Sequence, residues 1–146
     1  MDIDDLLQAY SRAVMHDLRK STTTSTGELE GYAQRHFMPH ECLGVFPADV
    51  TPARTKHRCI YIQNTKPSSH AGEHWVAIAR EPRHTDIVFD SFARTPSATW
   101  MPHLRGMRST ESDIDQYPHD STHCGQLCLA FGHVFLEHGY DAALQC

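Results

Sequence analysis

Cys124 is the residue of this 146-residue chain that is best placed to act as a nucleophile. It stands at the predicted first turn of an apolar helix whose hydrophobic stripe runs from Leu127 to Phe135. The partial positive charge and the unpaired amides at a helix start favour the thiolate over the thiol, and the thiolate is the reactive form. We therefore interpret Cys124 as a candidate nucleophile, with a purely structural cysteine as the alternative.

His74 and Asp90 are the candidate base and orienting acid, because they flank two predicted strands at residues 75–79 and 86–90. The short connection between these strands indicates an antiparallel hairpin. If its loop centres on Pro82, His74 lies directly opposite Asp90, with Cβ atoms about 5 Å apart. The carboxylate can then hold one imidazole nitrogen while the other faces a thiol. A slip of one residue would bring Ser91 there instead, and both residues also have ordinary structural interpretations.

Two further residues are candidates for substrate and oxyanion binding. Gly125 leaves out a side chain beside the nucleophile, where we expect a substrate backbone to approach. A helix-start amide is a natural oxyanion donor, and a side-chain amide often supplies a second one. Gln116 is the nearest glutamine before Cys124, although spacing alone favours an exposed loop amide as its interpretation.

The elements that must position these residues follow from the apolar pattern. Helical spacing predicts an amphipathic helix over residues 3–18 with Asp2 as N-cap, and residues 21–27 read as a flexible loop. A further strand is predicted at residues 59–64, and the last helix has N-cap candidates at residues 120–122. We expect a single cysteine protease domain over residues 1–146: an N-terminal helix within residues 1–20, the loop, and a catalytic body over residues 28–146.

Composition argues against a nucleic-acid-binding, a membrane-spanning or a secreted protein. The net charge of −5 disfavours non-specific binding to nucleic acid, and no apolar run is long enough to span a bilayer. The acidic amino terminus is unlike a secretory signal, and five scattered cysteines are unlike a secreted disulfide framework. We therefore expect a soluble protein that works inside cells.

Five segments, in this order, resemble the family of the adenovirus endopeptidase (adenain), its relatives in adintoviruses and Polinton elements, and the wider group that includes SUMO-specific proteases. The resemblance covers most of the chain, between residues 30 and 138. The segments are GVFPAD at residues 44–49, CIYIQNT at 59–65, HWVA at 74–77, FDSF at 89–92 and CGQLCL at 124–129.

The resemblance implies an α+β fold in which a central mixed sheet packs against a buried helix that carries the nucleophile at its N-terminus. By position, His74 resembles the family histidine, Asp90 its acidic partner, Cys124 the nucleophile and Gln116 the oxyanion-hole glutamine. Trp75 resembles the aromatic residue that narrows the channel over the substrate backbone, which would favour glycine there. Adenain has a glutamate in place of Asp90, and Gln116 stands further from the cysteine than is usual. Such a site needs no metal and no cofactor.

The resemblance also implies partners and a location. The substrates would be virion or capsid precursor proteins, cut at glycine-containing sites, in the host nucleus or cytoplasm and in the virion. Adenovirus activates its enzyme with DNA and with a disulfide-linked peptide. The acidic character of this chain argues against DNA and leaves an activating peptide as a partner, and no membrane contact is expected.

Three alternatives stay open. A peptidase that removes ubiquitin-like or SUMO-like modifiers would use the same triad. A zinc-binding protein without enzymatic activity would use the crowded set His119, His123, Cys124 and Cys128. An inactive binding module could keep the same fold.

Overall fold

The computed structural model describes residues 2–19, 24–66, 74–93, 101–112 and 123–146. In these parts of the chain, four α-helices accompany one five-stranded mixed sheet, which confirms the α+β class. The helices are α1 (Ile3–Leu18), α2 (Thr26–His36), α3 (Cys124–His138) and α4 (Tyr140–Leu144), and a 3₁₀ turn covers Pro102–Leu104. The strands are β1 (Cys42–Phe46), β2 (Cys59–Asn64), β3 (Trp75–Arg80), β4 (Ile87–Phe89) and β5 (Arg108–Ser109).

The strands lie in the sheet in the order in which they occur in the chain, from β1 to β5. The three central strands pair antiparallel, whereas β1 runs parallel to β2 and β5 runs parallel to β4. The bounds of β2 are those predicted. Strand β3 extends one residue beyond its predicted end, to Arg80, and β4 is one residue shorter than predicted at each end. The hairpin predicted between residues 75 and 90 is confirmed as the β3–β4 pair.

The sheet separates two apolar cores, because successive side chains of a strand point to opposite faces. Ile62 and Ala77 belong to the larger core, which includes the buried face of α3, while Tyr61 and Val76 belong to the smaller core on the other face. Gly132 allows α3 to lie close to the sheet, since a Cβ there would come 2.4 Å from Ile60 Cδ1. Within the described ranges, none of the helices combines the length and apolar character required to cross a bilayer.

The first two helices are both fixed by their caps. The prediction for α1 is confirmed over Ile3–Leu18, with the Asp2 side chain accepting a hydrogen bond from the amide of Asp5 at 2.8 Å. The prediction of a flexible loop over residues 21–27 is wrong for its last two residues, because Thr26 and Gly27 belong to α2. Residues 21–23 of that prediction lie outside the described part. A capping box between Ser25 and Glu28 starts α2 at that point.

The β3–β4 register differs from the prediction by two residues. The predicted register would place Ala77 opposite Ile87, whereas Ala77 faces Phe89 in the structure. The connection is therefore centred one residue further along, at Arg83, which adopts a positive φ of 69°. A shift of two residues keeps every side chain on its predicted face, because the side-chain period of a strand is two. His74 and Asp90 therefore stay on one face but become diagonal neighbours and do not lie directly opposite each other.

Candidate active site

Helix α3 begins at Cys124, so this sulfur lies in the first turn of a 15-residue helix. The N-cap is His123, which differs from the candidates at residues 120–122, and those three residues lie outside the described part. The His123 side chain makes no capping hydrogen bond to the first turn. Cys124 is 8% exposed and belongs to the larger core. The start of α3 therefore combines a nearly buried thiol with the positive end of a helix dipole.

His74 and Asp90 form a direct hydrogen bond at the end of the β3–β4 hairpin. The distance from His74 Nε2 to Asp90 Oδ1 is 2.6 Å, and both side chains are buried. His74 directly precedes β3, where its carbonyl oxygen accepts a hydrogen bond from the amide of Thr65. The diagonal placement still allows this contact because an imidazole is long enough to bridge offset positions on neighbouring strands.

Phe92 contacts both members of this pair, and the sequence interpretation did not identify it. Its ring stacks on the His74 imidazole with a centroid distance of 4.2 Å and an interplanar angle of 17°. Its amide donates a hydrogen bond of 2.9 Å to Asp90 Oδ1, the same oxygen that bonds His74. The signal that could have revealed this residue is an Asp followed two residues later by an aromatic residue, since aspartate often accepts from that amide.

The imidazole of His74 interacts with Cys124 as well as with Asp90. Burial, the largest influence, would lower the pKa of His74, but the hydrogen bond with Asp90 and the interaction with Cys124 outweigh it. Together they raise the pKa to about 8. Within the described residues, Nδ1 is buried and makes no hydrogen bond of standard geometry. Because Asp90 engages Nε2, Nδ1 is the nitrogen of His74 that is left for a thiol.

The space beside Gly125 is filled by the protein itself. A Cβ at this position would lie 2.1 Å from Thr24 Oγ1, 3.1 Å from Leu29 Cδ2 and 3.4 Å from Trp75 Cδ1. Thr24 therefore occupies the place of the missing side chain, and the approach of a substrate backbone to Gly125 stays a prediction. Trp75 is 8% exposed and packs in the larger core beside the helix start.

The other four cysteines are less suited to react as thiolates. Burial raises the pKa of Cys42 to about 11 and that of Cys146 to about 12, and it also raises the pKa of Cys59. Cys128 is fully buried one turn after Cys124, and its pKa lies well above the usual value, chiefly because of burial. A thiol-directed reagent should therefore distinguish Cys124 from the rest.

Two of the proposed sites are only partly covered by the structure. Gln116, the predicted oxyanion residue, lies outside the described residues, and so does His119 of the alternative zinc set. Among the residues that are described, no group of three His, Cys, Asp or Glu side chains is placed to hold a metal ion.

No family model matches this chain, and a search of curated proteins finds no match.

Proposed function

We propose that this chain is a cysteine endopeptidase that uses Cys124 as nucleophile, His74 as base and Asp90 as the group that orients the base. The observation that carries the proposal is the buried hydrogen bond of 2.6 Å between His74 and Asp90, on a ring that also interacts with a thiol at a helix start. Buried groups of this kind are costly unless they are paired, and clusters of perturbed titratable groups are typical of functional sites.

The first half of the proposed reaction is acylation. His74 Nδ1 takes the proton from the Cys124 thiol, and the resulting imidazolium is stabilised by its Nε2–H hydrogen bond to Asp90. The thiolate attacks the carbonyl carbon of the scissile peptide bond, and the amides of the first turn of α3 stabilise the oxyanion. His74 then gives its proton to the leaving amine as the carbon–nitrogen bond breaks, which leaves a thioester on Cys124.

The second half is hydrolysis of that thioester. His74 takes a proton from water while the hydroxide attacks the thioester carbonyl, and the carbon–sulfur bond breaks. The sulfur leaves as a thiolate next to the imidazolium, and transfer of the proton from His74 back to the sulfur restores the starting state. Gln116 would supply a second oxyanion donor by its resemblance to the family glutamine.

The resemblance of the five sequence segments to the adenain family supports a narrower proposal. The substrates would be virion or capsid precursor polypeptides with small, glycine-containing cleavage sites, processed in the infected cell and in the virion of a virus or virus-like element. Trp75, which packs next to the helix start, is consistent with a narrow approach to Cys124. An activating peptide is a candidate partner, and the net charge of −5 argues against DNA in that role.

A covalent probe tests the chemistry. A Gly-Gly vinyl sulfone should label Cys124 and leave the other four cysteines unmodified, as mapped by mass spectrometry of the intact and digested protein. Cys124→Ala should abolish both labelling and turnover of a Gly-Gly-containing peptide while the protein stays folded. Cys42→Ala is the matched control, because Cys42 lies in β1 and is not part of the proposed site. This variant should keep both the labelling of Cys124 and the turnover of the peptide. Turnover near the wild-type rate in Cys124→Ala would refute the assignment of the nucleophile.

The substrate class needs a separate comparison, because the same triad also serves peptidases that remove ubiquitin-like modifiers. The wild-type protein would be incubated with a SUMO or ubiquitin conjugate and, in parallel, with a capsid-type peptide that contains Gly-Gly. We expect cleavage of the peptide. Processing of the conjugate alone would replace the maturation proposal with the modifier-specific one and leave the triad unchanged.

A further inference from the structure

We infer that Phe92 is a positioning residue of the triad, whose ring holds the plane of the His74 imidazole and whose amide orients the Asp90 carboxylate. This inference rests on the proposed function, because it assigns a role in the same site. It depends on two separate contacts of one residue with the two members of the His74–Asp90 pair.

The end of the β3–β4 pair and the turn after it bring Phe92 to the imidazole. Ala77 faces Phe89 and Ile78 faces Val88 in the β3–β4 pair. In this register Asp90, the first residue after β4, lies diagonal to His74, and the turn that follows places the Phe92 ring on the imidazole with the two planes nearly parallel. One flat face of the imidazole is thereby covered, which restricts the plane of the ring, while the hydrogen bond to Asp90 engages Nε2 within that plane.

The backbone after β4 provides the second contact. The chain turns directly after Asp90, where the amide of Ala93 donates to the Asp90 carbonyl oxygen at 2.8 Å. The same turn directs the Phe92 amide to Asp90 Oδ1 at 2.9 Å. Asp90 Oδ1 therefore accepts hydrogen bonds from His74 and from a fixed backbone group, so the carboxylate cannot rotate without losing both. Ala93 itself has a positive φ of 55°, which is uncommon for a residue with a side chain and is found at tight functional turns.

The ring also affects the charge on His74. A cation over an aromatic face is attracted by the negative π-surface, so a stacked phenyl ring favours the imidazolium over the neutral imidazole. An aliphatic side chain of similar size would fill the space but would offer neither a flat face nor this attraction. The contribution of Phe92 is therefore separable from simple packing by comparing an aliphatic with an aromatic replacement.

The test uses Phe92→Leu and Phe92→Tyr in the full-length protein. We expect Phe92→Leu to lower the pKa of His74, followed by NMR of ring-labelled histidine, by about half a unit or more. We also expect kcat to fall by about tenfold with KM nearly unchanged, because misplacement of a catalytic group affects the chemical step. Phe92→Tyr keeps the aromatic face and should restore both quantities to near the wild-type values.

A purely structural role would give a different result. In that case Phe92→Leu would lower the melting temperature but leave the His74 pKa and the kcat of the folded protein unchanged, and the inference would be overturned. The NMR titration needs no substrate. If the wild-type protein cleaves no peptide, the proposed function fails, while a lowered His74 pKa in Phe92→Leu still supports the positioning role.

Discussion

The position of Thr24 next to Gly125 predicts how a substitution at the start of α3 changes the free energy of unfolding. Alanine is favoured over glycine by about 1 kcal/mol within a helix, so Gly125→Ala would be mildly stabilising if the position were open. The added Cβ, however, would lie 2.1 Å from Thr24 Oγ1, a distance at which an atom must move. Overpacking of this kind usually costs about 1–3 kcal/mol. We therefore expect Gly125→Ala to lower the free energy of unfolding by about that amount.

Removal of the opposing atom should reverse the sign. Thr24→Ala deletes Oγ1, and the next neighbour, Leu29 Cδ2 at 3.1 Å, is the end of a flexible side chain. In the Thr24→Ala background, Gly125→Ala should therefore be neutral or stabilising by up to about 1 kcal/mol. Thr24→Val is the matched control, because it keeps an atom in the place of Oγ1 and should not rescue Gly125→Ala. Alone, Thr24→Val should be tolerated, since the Thr24 hydroxyl is buried and has no hydrogen-bond partner in the described part of the chain.

Urea unfolding of the single and double variants measures the coupling between the two positions. Equal losses of stability from Gly125→Ala in the wild-type and Thr24→Ala backgrounds would refute the packing argument. Peptidase activity adds an independent readout. An active, stable double variant means that Gly125 serves packing, whereas a stable but inactive one would support the expectation that a substrate backbone passes over this residue.

Three further predictions concern the site and its supports. Asp90→Asn should lower the pKa of His74, because a neutral amide stabilises the imidazolium less, and it should cost less activity than His74→Ala; an unchanged NMR titration would contradict this. Arg58→Ala should lower the free energy of unfolding, measured in urea, by about 1–2 kcal/mol, because the guanidinium donates to the Phe135 carbonyl oxygen at 2.8 Å and stacks on the Phe135 ring. Wild-type stability of Arg58→Lys would argue against a need for the planar guanidinium. Burial lowers the pKa of His133 in the folded protein, whereas in the unfolded chain a histidine has a pKa of about 6.5. The unfolded chain therefore binds more protons at and below pH 6.5, and the free energy of unfolding should fall as the pH drops through this region. The same dependence of stability on pH in His133→Gln would rule out this histidine as the cause.

The parts of the fold that depend on local patterns could be predicted from the sequence. The bounds of α1 and β2 follow from helical and strand periodicity, and the apolar stripe of α3 predicts a buried helix. The capping box that starts α2 was readable as Ser25 followed by Glu28, but the serine and threonine run before it favoured a loop. The pairing of β1 with β2 and of β4 with β5 joins parallel neighbours, and no local pattern states which strands will meet.

The amino-acid sequence by itself determined the residue types of the candidate site and the face on which His74 and Asp90 lie, because strand periodicity survives a register shift of two residues. Only the tertiary structure decided that they meet diagonally, that Phe92 stacks on the imidazole and that Thr24 fills the space over Gly125. Those contacts join segments that lie far apart in the chain or depend on a loop conformation. Their geometry is set by how the whole sheet and helix α3 pack together, and by no short stretch of sequence alone.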